Sequence, residues 1–242
     1  MDLQTFSNKL KDISDKGYIS TLRKGDTGIG QTLEQLLELE ENNLSLPDIN
    51  LNLEVKAAKK AELKAFRKNT DSMLTLFTKE PLSNLARGRD RYLLETFGYT
   101  SLDPSKEKDL YTTITALDYN SQGFKLVVKE NALLLSHKTI PLDIHWPYEL
   151  LKKVFEQKLP ALVVVLANTR GIEFDEQFHY NEAYYLQGFN FQDFMTAVSK
   201  GYIKVDLRMH LRANNTVRNH GTAFRIVKSK LYTCFDYKLP LL

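Results

Sequence analysis

The amino-acid sequence predicts an α/β or α+β fold in which helices flank a mixed central sheet. Apolar residues at helical spacing predict a helix over residues 30–41, after a glycine-containing turn. A second amphipathic helix is predicted over residues 148–158, and the wholly apolar run at 160–167 is typical of a strand buried on both faces. A chain of 242 residues with this pattern can bury a core without covalent cross-links.

Shorter patterns predict the other elements. Strict alternation of apolar and polar residues over 47–56 predicts a strand or hairpin, and the basic segment at 57–69 is predicted to be helix or loop. Farther along, the patterns predict a short strand at 73–78, a basic turn at 86–91 and an antiparallel hairpin formed by 124–128 and 132–136.

The C-terminal part carries the clearest strand pattern. Residues 203–211 alternate apolar side chains with charged or imidazole side chains, so one face of the strand is apolar and the other presents charge. After a loop at 212–216, residues 219–227 are predicted to return as the partner strand. No low-complexity linker interrupts the chain, so any two lobes are expected to be tightly joined.

Basic charge is concentrated in two segments, although the net charge is only +3. Residues 200–230 carry eight Lys or Arg side chains against a single acid, Asp206, and residues 56–68 carry six basic side chains. Such patches on a nearly neutral body favour a polyanionic partner. For residues 56–68 the alternative is the solvated side of a helix.

Cysteine use and hydropathy predict the compartment. The single cysteine, Cys234, excludes an internal disulfide and a multi-cysteine zinc site, so a reducing environment is expected. The longest apolar stretch, at 161–167, is too short to cross a bilayer, and residues 1–12 lack the apolar core of a secretory leader. We therefore expect a cytoplasmic protein with no membrane partner.

Three charged residues form a pattern that suits metal-dependent hydrolysis of phosphodiesters: Asp48, Glu54 and Lys56. Carboxylates are the hard oxygen ligands that Mg²⁺ prefers, and an ammonium group can orient water and offset developing negative charge. Given average composition, about half a chance match to the bare pattern is expected per chain of this length. The alternative is an exposed amphipathic hairpin whose polar side meets water.

The spacing of the two acids constrains their geometry. In a straight strand Asp48 and Glu54 would stand about 20 Å apart, too far to share one ion. The chain must therefore bend between them, and Asn50 and Asn52 are residue types that tolerate turn conformations. Glu54 and Lys56, two residues apart, are predicted to share one strand face.

Several sequence blocks resemble one family in the same order along the chain. The first blocks are TGIGQTLEQLLE at 27–38, ENN at 41–43, Pro47-Asp48 and Glu54-Val-Lys56. The later blocks are SMLTLFTK at 72–79, YIKVDLR at 202–208 and HGTAFRI at 220–226. Together they resemble the MvaI/BcnI type of restriction endonuclease, related in its core to the MutH mismatch-repair nicking enzyme. Residues 87–200 match only loosely.

The resemblance implies roles for four residues. Asp48 and Glu54 would be Mg²⁺ ligands, Lys56 would position the attacking water, and Glu34 would be a supporting carboxylate on the preceding helix. The spacer of five residues between Asp48 and Glu54 departs by one from the family pattern, which puts the metal geometry in doubt. Apart from the resemblance, Glu34 is equally well explained as a solvated position beside the leucine face of its helix.

Four residues near the C-terminus are candidates for reading base edges: Asp206, Arg208, His220 and Arg225. Arginine suits guanine O6 and N7, and acids accept from cytosine N4, so the set suits G·C pairs. Residues two apart on a strand are about 6.6 Å apart, close to two base-pair rises of about 3.4 Å each. The resemblance implies that these positions read the outer C·G pairs of a CCNGG-type pentanucleotide. The alternatives are a surface ion pair between Asp206 and Arg208 and a phosphate contact for Arg225.

As a whole, the resemblance implies a type II restriction endonuclease that cleaves double-stranded DNA with Mg²⁺ at a short C/G-rich site, CCWGG or CCSGG. It implies a PD-(D/E)xK catalytic lobe at 1–170 and a β-rich DNA-recognition lobe at 171–242. A monomer is implied, with a cognate DNA methyltransferase encoded elsewhere and no stable complex between the two. The alternatives are a MutH-like nicking endonuclease and a non-catalytic sequence-specific DNA-binding protein.

Overall fold

A computed structural model describes residues 3–25, 27–38, 53–60, 72–85 and 88–242. Within these ranges helices lie beside several sheets, which confirms the predicted α+β class. The described α-helices are α1 (Leu3–Asp15), α2 (Gly28–Leu36), α3 (Arg89–Phe97), α4 (Tyr148–Lys158) and α5 (Phe191–Ser199), and short 3-10 helices lie at Glu173–Asp175 and Lys228–Cys234. The described strands are β1 (Ile19–Ser20), β2 (Leu53–Lys59), β3 (Met73–Thr78), β4 (Leu82–Ser83), β5 (Tyr99–Thr100), β6 (Lys106–Ile114), β7 (Phe124–Val128), β8 (Ala132–His137), β9 (Ile144–Pro147), β10 (Ala161–Arg170), β11 (Gln177–Gln187), β12 (Ile203–Arg212), β13 (Val217–Asn219), β14 (Ala223–Val227) and β15 (Tyr237–Pro240).

The chain forms two compact units, each assembled from separate segments. The first comprises Met1–Leu74, Phe155–Asn190 and Lys228–Leu242, and the second comprises Thr75–Val154 and Phe191–Val227. The expected break after residue 170 is not a boundary between these units. Instead β10 and β11 pair antiparallel on either side of it, with Arg170 opposite Gln177. The assignment of catalysis and recognition to separate lobes stays a prediction.

In the first unit, β2 lies beside the buried strand β10. The strand order is β1-β11-β10-β2, with β15 also paired to β11, and the β2–β10 pair is parallel. Leu10 of α1 and Leu33 of α2 share a buried core with Val55 of β2. The hydroxyl of Tyr180 on β11 donates to the carbonyl oxygen of Ile29 at 2.7 Å, which ties α2 to the sheet. The catalytic strand candidate, β2, is therefore backed by helices on its apolar face.

The second unit contains two sheets. One has the order β3-β14-β12-β6-β5, with β13 also paired to β12, and the other has the order β4-β9-β8-β7. Aromatic rings fill its core, with Phe77 and Trp146 centred 5.0 and 5.6 Å from the ring of Phe224. β12 lies in the middle of the larger sheet and pairs antiparallel with β6, β13 and β14.

Several predicted elements are confirmed with small changes in bounds. The strand at 73–78, the hairpin β7–β8, the helix at 148–158 and the apolar strand beginning at Ala161 all form. The helix predicted at 30–41 begins earlier, at Gly28, and ends at Leu36. Glycine is needed at this start because a β-carbon on residue 28 would lie 2.3 Å from the carbonyl oxygen of Arg23.

Two predictions are wrong where the structure describes them. The segment predicted as basic helix or loop begins as strand, because Ala57–Lys59 continues β2 and Ala58 is buried opposite Leu166. The predicted basic turn contains the start of α3 at Arg89, which forms because Leu93 and Leu94 are buried one turn later. The bend predicted at Asn50 and Asn52 lies outside the described residues.

None of the helices in the described ranges is both long and apolar enough to span a membrane.

Candidate functional site

Glu54 and Lys56 lie on β2 near the amino end of its parallel partner, β10. Glu54 is opposite Leu162 and Lys56 is opposite Val164. Val55 belongs to the core beneath α2, so the alternation of a strand directs Glu54 and Lys56 to the opposite face of the sheet. The two side chains share that face, as the spacing predicts.

Two ammonium groups surround the buried carboxylate of Glu54. Only 3% of Glu54 is exposed, and its Oε1 accepts a hydrogen bond from Lys56 Nζ. Lys158 Nζ donates to the other oxygen, Oε2, at 3.4 Å. A buried charge is costly unless it is paired and hydrogen-bonded, and the two lysines provide that compensation. The arrangement holds a carboxylate and a cationic group in contact at one sheet face.

Lys158 was missed in the sequence, although a signal for it was present. It ends the amphipathic helix α4, just before the apolar run that becomes β10. Because β10 is parallel to β2, the amino ends of the two strands are neighbours, with Ala161 opposite Leu53. Lys158, which lies shortly before β10, is therefore brought close to Glu54, the first residue of the Glu-x-Lys triplet.

Glu34 follows the buried Leu33 on α2. It is half-buried, and its Oε1 lies 3.9 Å from the position that a β-carbon on Gly30 would take. Because α2 packs against the Val55 face of β2, the backbone that carries Glu34 lies on the side of the sheet opposite to the Glu54 side chain. Its supporting role stays a prediction.

The donor set for a divalent ion is only partly described. Asp48 lies outside the described residues. Within the ranges given above, no three His, Cys, Asp or Glu side chains come together as a metal cluster. Glu54 offers the carboxylate oxygens that a hard cation prefers, and both oxygens contact lysine ammonium groups whose charge opposes that cation.

In the second unit, Asp206 and Arg225 form an ion pair across β12 and β14. Arg225 Nη1 donates to Asp206 Oδ2 at 2.6 Å, and Thr113 Oγ1 on β6 donates to Asp206 Oδ1 at 2.7 Å. Asp206 is buried, with 5% exposed. The ion pair thus joins two strands, whereas the sequence alternative placed it along β12 between Asp206 and Arg208.

Arg208 contacts the short loop between β13 and β14. Its Nε donates to the carbonyl oxygen of Gly221 and its Nη2 to that of His220, each at 3.1 Å. Gly221 has a φ of +87°, a left-handed conformation that favours glycine. Burial lowers the pKa of the Arg208 guanidinium from its usual value, while the charge of Asp206 opposes that change. Arg208 therefore supports the loop that carries His220.

His220 lies beside a second imidazole. Its Nε2 is 3.3 Å from Nδ1 of His210, and that same Nδ1 is 3.3 Å from the hydroxyl oxygen of Tyr111. Burial lowers the pKa of both imidazoles, and neighbouring positive charges such as Lys106 lower them further. The four predicted reading residues are thus gathered on β12, on β14 and in the loop before β14.

Comparisons with known proteins agree with the sequence blocks. A family model described as the MvaI/BcnI restriction endonuclease family matches residues 7–235. The solved structure of restriction endonuclease MvaI in complex with its cognate DNA substrate aligns with a TM-score of 0.81, at 28% identity, covering 100% of both chains. MvaI in the absence of DNA aligns with a TM-score of 0.55, at 26% identity, covering 100% of this chain and 99% of that chain. A comparison with curated proteins gave no match.

Proposed function

This chain belongs to the MvaI/BcnI restriction endonuclease family, and from that premise we propose that it is a type II enzyme that hydrolyses double-stranded DNA at a short C/G-rich site with Mg²⁺. The site proposed is a CCNGG-type pentanucleotide. The observation that carries the chemistry is the contact between the buried carboxylate of Glu54 and the ammonium group of Lys56.

We assign the hydrolytic roles to residues on β2 and to the charged residues near them in the sequence and the fold. Asp48 and Glu54 would hold the ion, whose chemistry is Lewis-acid stabilisation of the charge that develops on the phosphate. Lys56 orients the attacking water and offsets negative charge near the scissile bond, because its ammonium group is fixed against Glu54. Lys158, on the other oxygen of Glu54, keeps that carboxylate compensated and oriented. Glu34 is kept as a candidate supporting carboxylate.

Sequence reading is proposed for the residues of the second unit. An Asp–Arg pair such as Asp206 and Arg225 presents an acceptor and a donor side by side, which suits the edges of a C·G pair. Arg208 and His220 extend the set, since Arg208 is bonded to the loop that carries His220. The basic surplus at residues 200–230 supports contact with phosphates around the site. We further propose that the enzyme acts as a cytoplasmic monomer.

A plasmid assay tests the proposal. Supercoiled DNA carrying one CCNGG-type site is incubated with the wild-type protein, with Mg²⁺ or with a chelator, and the ends are mapped by sequencing. Full-length linear DNA that depends on Mg²⁺ is expected. Stable open circles alone would instead support a nicking enzyme, and intact plasmid bound by the protein would support a non-catalytic DNA-binding protein.

Two variants and a matched control test the assigned chemistry. Lys56→Ala and Glu54→Ala should bind the site but leave it uncut, whereas Lys11→Ala, an exposed lysine of α1, should cut normally. Cleavage by the double variant Glu54→Ala/Lys56→Ala at the wild-type rate would contradict the assignment.

A further inference from the structure

Glu80, just after β3, binds the loop that carries His220. This loop, residues 219–222, is called the reading loop below. Glu80 Oε1 accepts a hydrogen bond from the backbone N–H of Thr222 at 2.7 Å. Glu80 Oε2 accepts from Thr222 Oγ1 at 3.0 Å and from Asn219 Nδ2 at 3.2 Å. One carboxylate thus contacts both ends of the reading loop.

Arg89 fixes this carboxylate from the other side. Its Nη2 contacts Glu80 Oε2, its Nη1 donates to the carbonyl oxygen of Pro81 at 2.6 Å, and its Nε donates to Asp90 Oδ1 at 2.6 Å. Asp90 in turn accepts from Asn219 Nδ2 at 2.9 Å. The start of α3 and the reading loop are therefore joined through one charged network.

Arg208 and Lys79 also form hydrogen bonds with the reading loop. The N–H of His220 donates to the carbonyl oxygen of Arg208 at 2.8 Å, and the Arg208 side chain donates to loop carbonyls. The N–H of Lys79 donates to the carbonyl oxygen of Thr222 at 2.9 Å. The loop is held between Arg208 and Glu80, so its conformation depends on both.

We propose that Glu80 is a positioning residue for sequence discrimination. It holds the reading loop in the conformation that directs His220 and Arg208 to base edges, and it acts through the loop without touching the DNA itself. The inference rests on the proposed function, in which this loop reads bases. It goes beyond that function because neither Glu80 nor its partner Arg89 belongs to the predicted reading set.

The network requires a carboxylate at residue 80. Oε2 faces donors from Thr222, Asn219 and Arg89, while Oε1 faces a backbone N–H. A glutamine can offer only one carbonyl oxygen, so its amide group would oppose donors whichever way it is turned. Glu80→Gln therefore keeps the size of the side chain and breaks the network.

The expected defect is one of selectivity more than of folding. The Glu80 side chain is 41% exposed, so water can replace part of what is lost and global stability should change little. A displaced reading loop should instead lower cleavage of the correct site while leaving wrong sites nearly unaffected. A role that was only structural would lower cleavage of all sites together.

The experiment compares kcat/KM on the cognate site with kcat/KM on sites that carry one substituted base pair. Glu80→Gln is expected to lower this ratio about tenfold, which corresponds to about 1.4 kcal/mol. Thr222→Val, which removes one hydroxyl donor to Glu80, should lower it in the same direction by a smaller factor, and it serves if Glu80→Gln does not fold. The matched control is Glu95→Gln, which changes an exposed acid of α3 and should leave the ratio unchanged.

The outcomes separate this inference from the function on which it rests. A wild-type protein that cuts all sites alike, or none, would refute the proposed function. A selective wild type with unchanged ratios for both Glu80→Gln and Thr222→Val would refute only the role of Glu80. Equal losses on cognate and substituted sites would also overturn it, because they would indicate a purely structural role.

Discussion

Replacing Asp206 by asparagine is expected to destabilise the second unit by a measurable amount. The side chains of Asp206 and Arg225 are 8% and 29% exposed, so their ion pair is largely removed from water. A hydrogen bond to a charged group contributes about 1.5–3 kcal/mol, and removing one partner of a fully buried pair costs about 3–5 kcal/mol. Because Arg225 keeps part of its exposure and the bond from Thr113 can persist, we expect a loss of about 2 kcal/mol.

A double-mutant cycle measures this interaction directly. The free energy of unfolding in urea is determined for the wild type, Asp206→Asn, Arg225→Met and the double variant, with the exposed Asp118→Asn as control. A coupling energy of about 1–2 kcal/mol is expected between Asp206 and Arg225. Additive effects, with a coupling energy below about 0.3 kcal/mol, would show that the ion pair between Asp206 and Arg225 does not stabilise the folded protein and would contradict this prediction.

Three other perturbations have defined outcomes. Without divalent metal, Lys158→Met should lower the melting temperature by an amount equivalent to about 1 kcal/mol, because the buried Glu54 loses one of its two charged hydrogen-bond donors. Added Mg²⁺ should raise the melting temperature of the variant more than that of the wild type. Equal responses to Mg²⁺ in thermal melts would contradict this. Burial lowers the pKa of His210 and His220, so below about pH 6.5 the unfolded chain binds more protons than the folded chain. The contribution of these imidazoles to the free energy of unfolding is therefore complete above that pH and decreases as the pH is lowered. His210→Asn should flatten the fall in the urea midpoint between about pH 7 and pH 5, and an unchanged slope would rule out this contribution. Removal of divalent metal by a chelator should abolish cleavage while site binding in a gel-shift assay persists.

Local periodicity accounted for much of the fold. The alternation that placed Glu54 and Lys56 on one strand face needs only the geometry of an extended chain, and the two side chains are in contact. The wholly apolar run beginning at Ala161 is buried for the same reason that it was predicted, since no polar side chain interrupts it. Helix α4 follows from a single amphipathic pattern.

Contacts that depend on strand register could not be read from the sequence. Lys158 reaches Glu54 only because β10 runs parallel to β2 in one particular register. Asp206 pairs with Arg225 because β14 places Ala223 opposite Asp206, and a shift of one residue would turn Arg225 to the other face. Arg89 was assigned to a turn from its basic neighbours, whereas burial of Leu93 makes it the first residue of a helix.

We propose that the chain cuts DNA at one short sequence through chemistry centred on Glu54 and Lys56. Run-off sequencing of a digested DNA of known sequence, with the wild type and Lys56→Ala side by side in Mg²⁺, tests it most directly. We expect wild-type breaks at a single C/G-rich pentanucleotide and none with the variant. Identical breaks with both proteins, or no breaks with either, would contradict it.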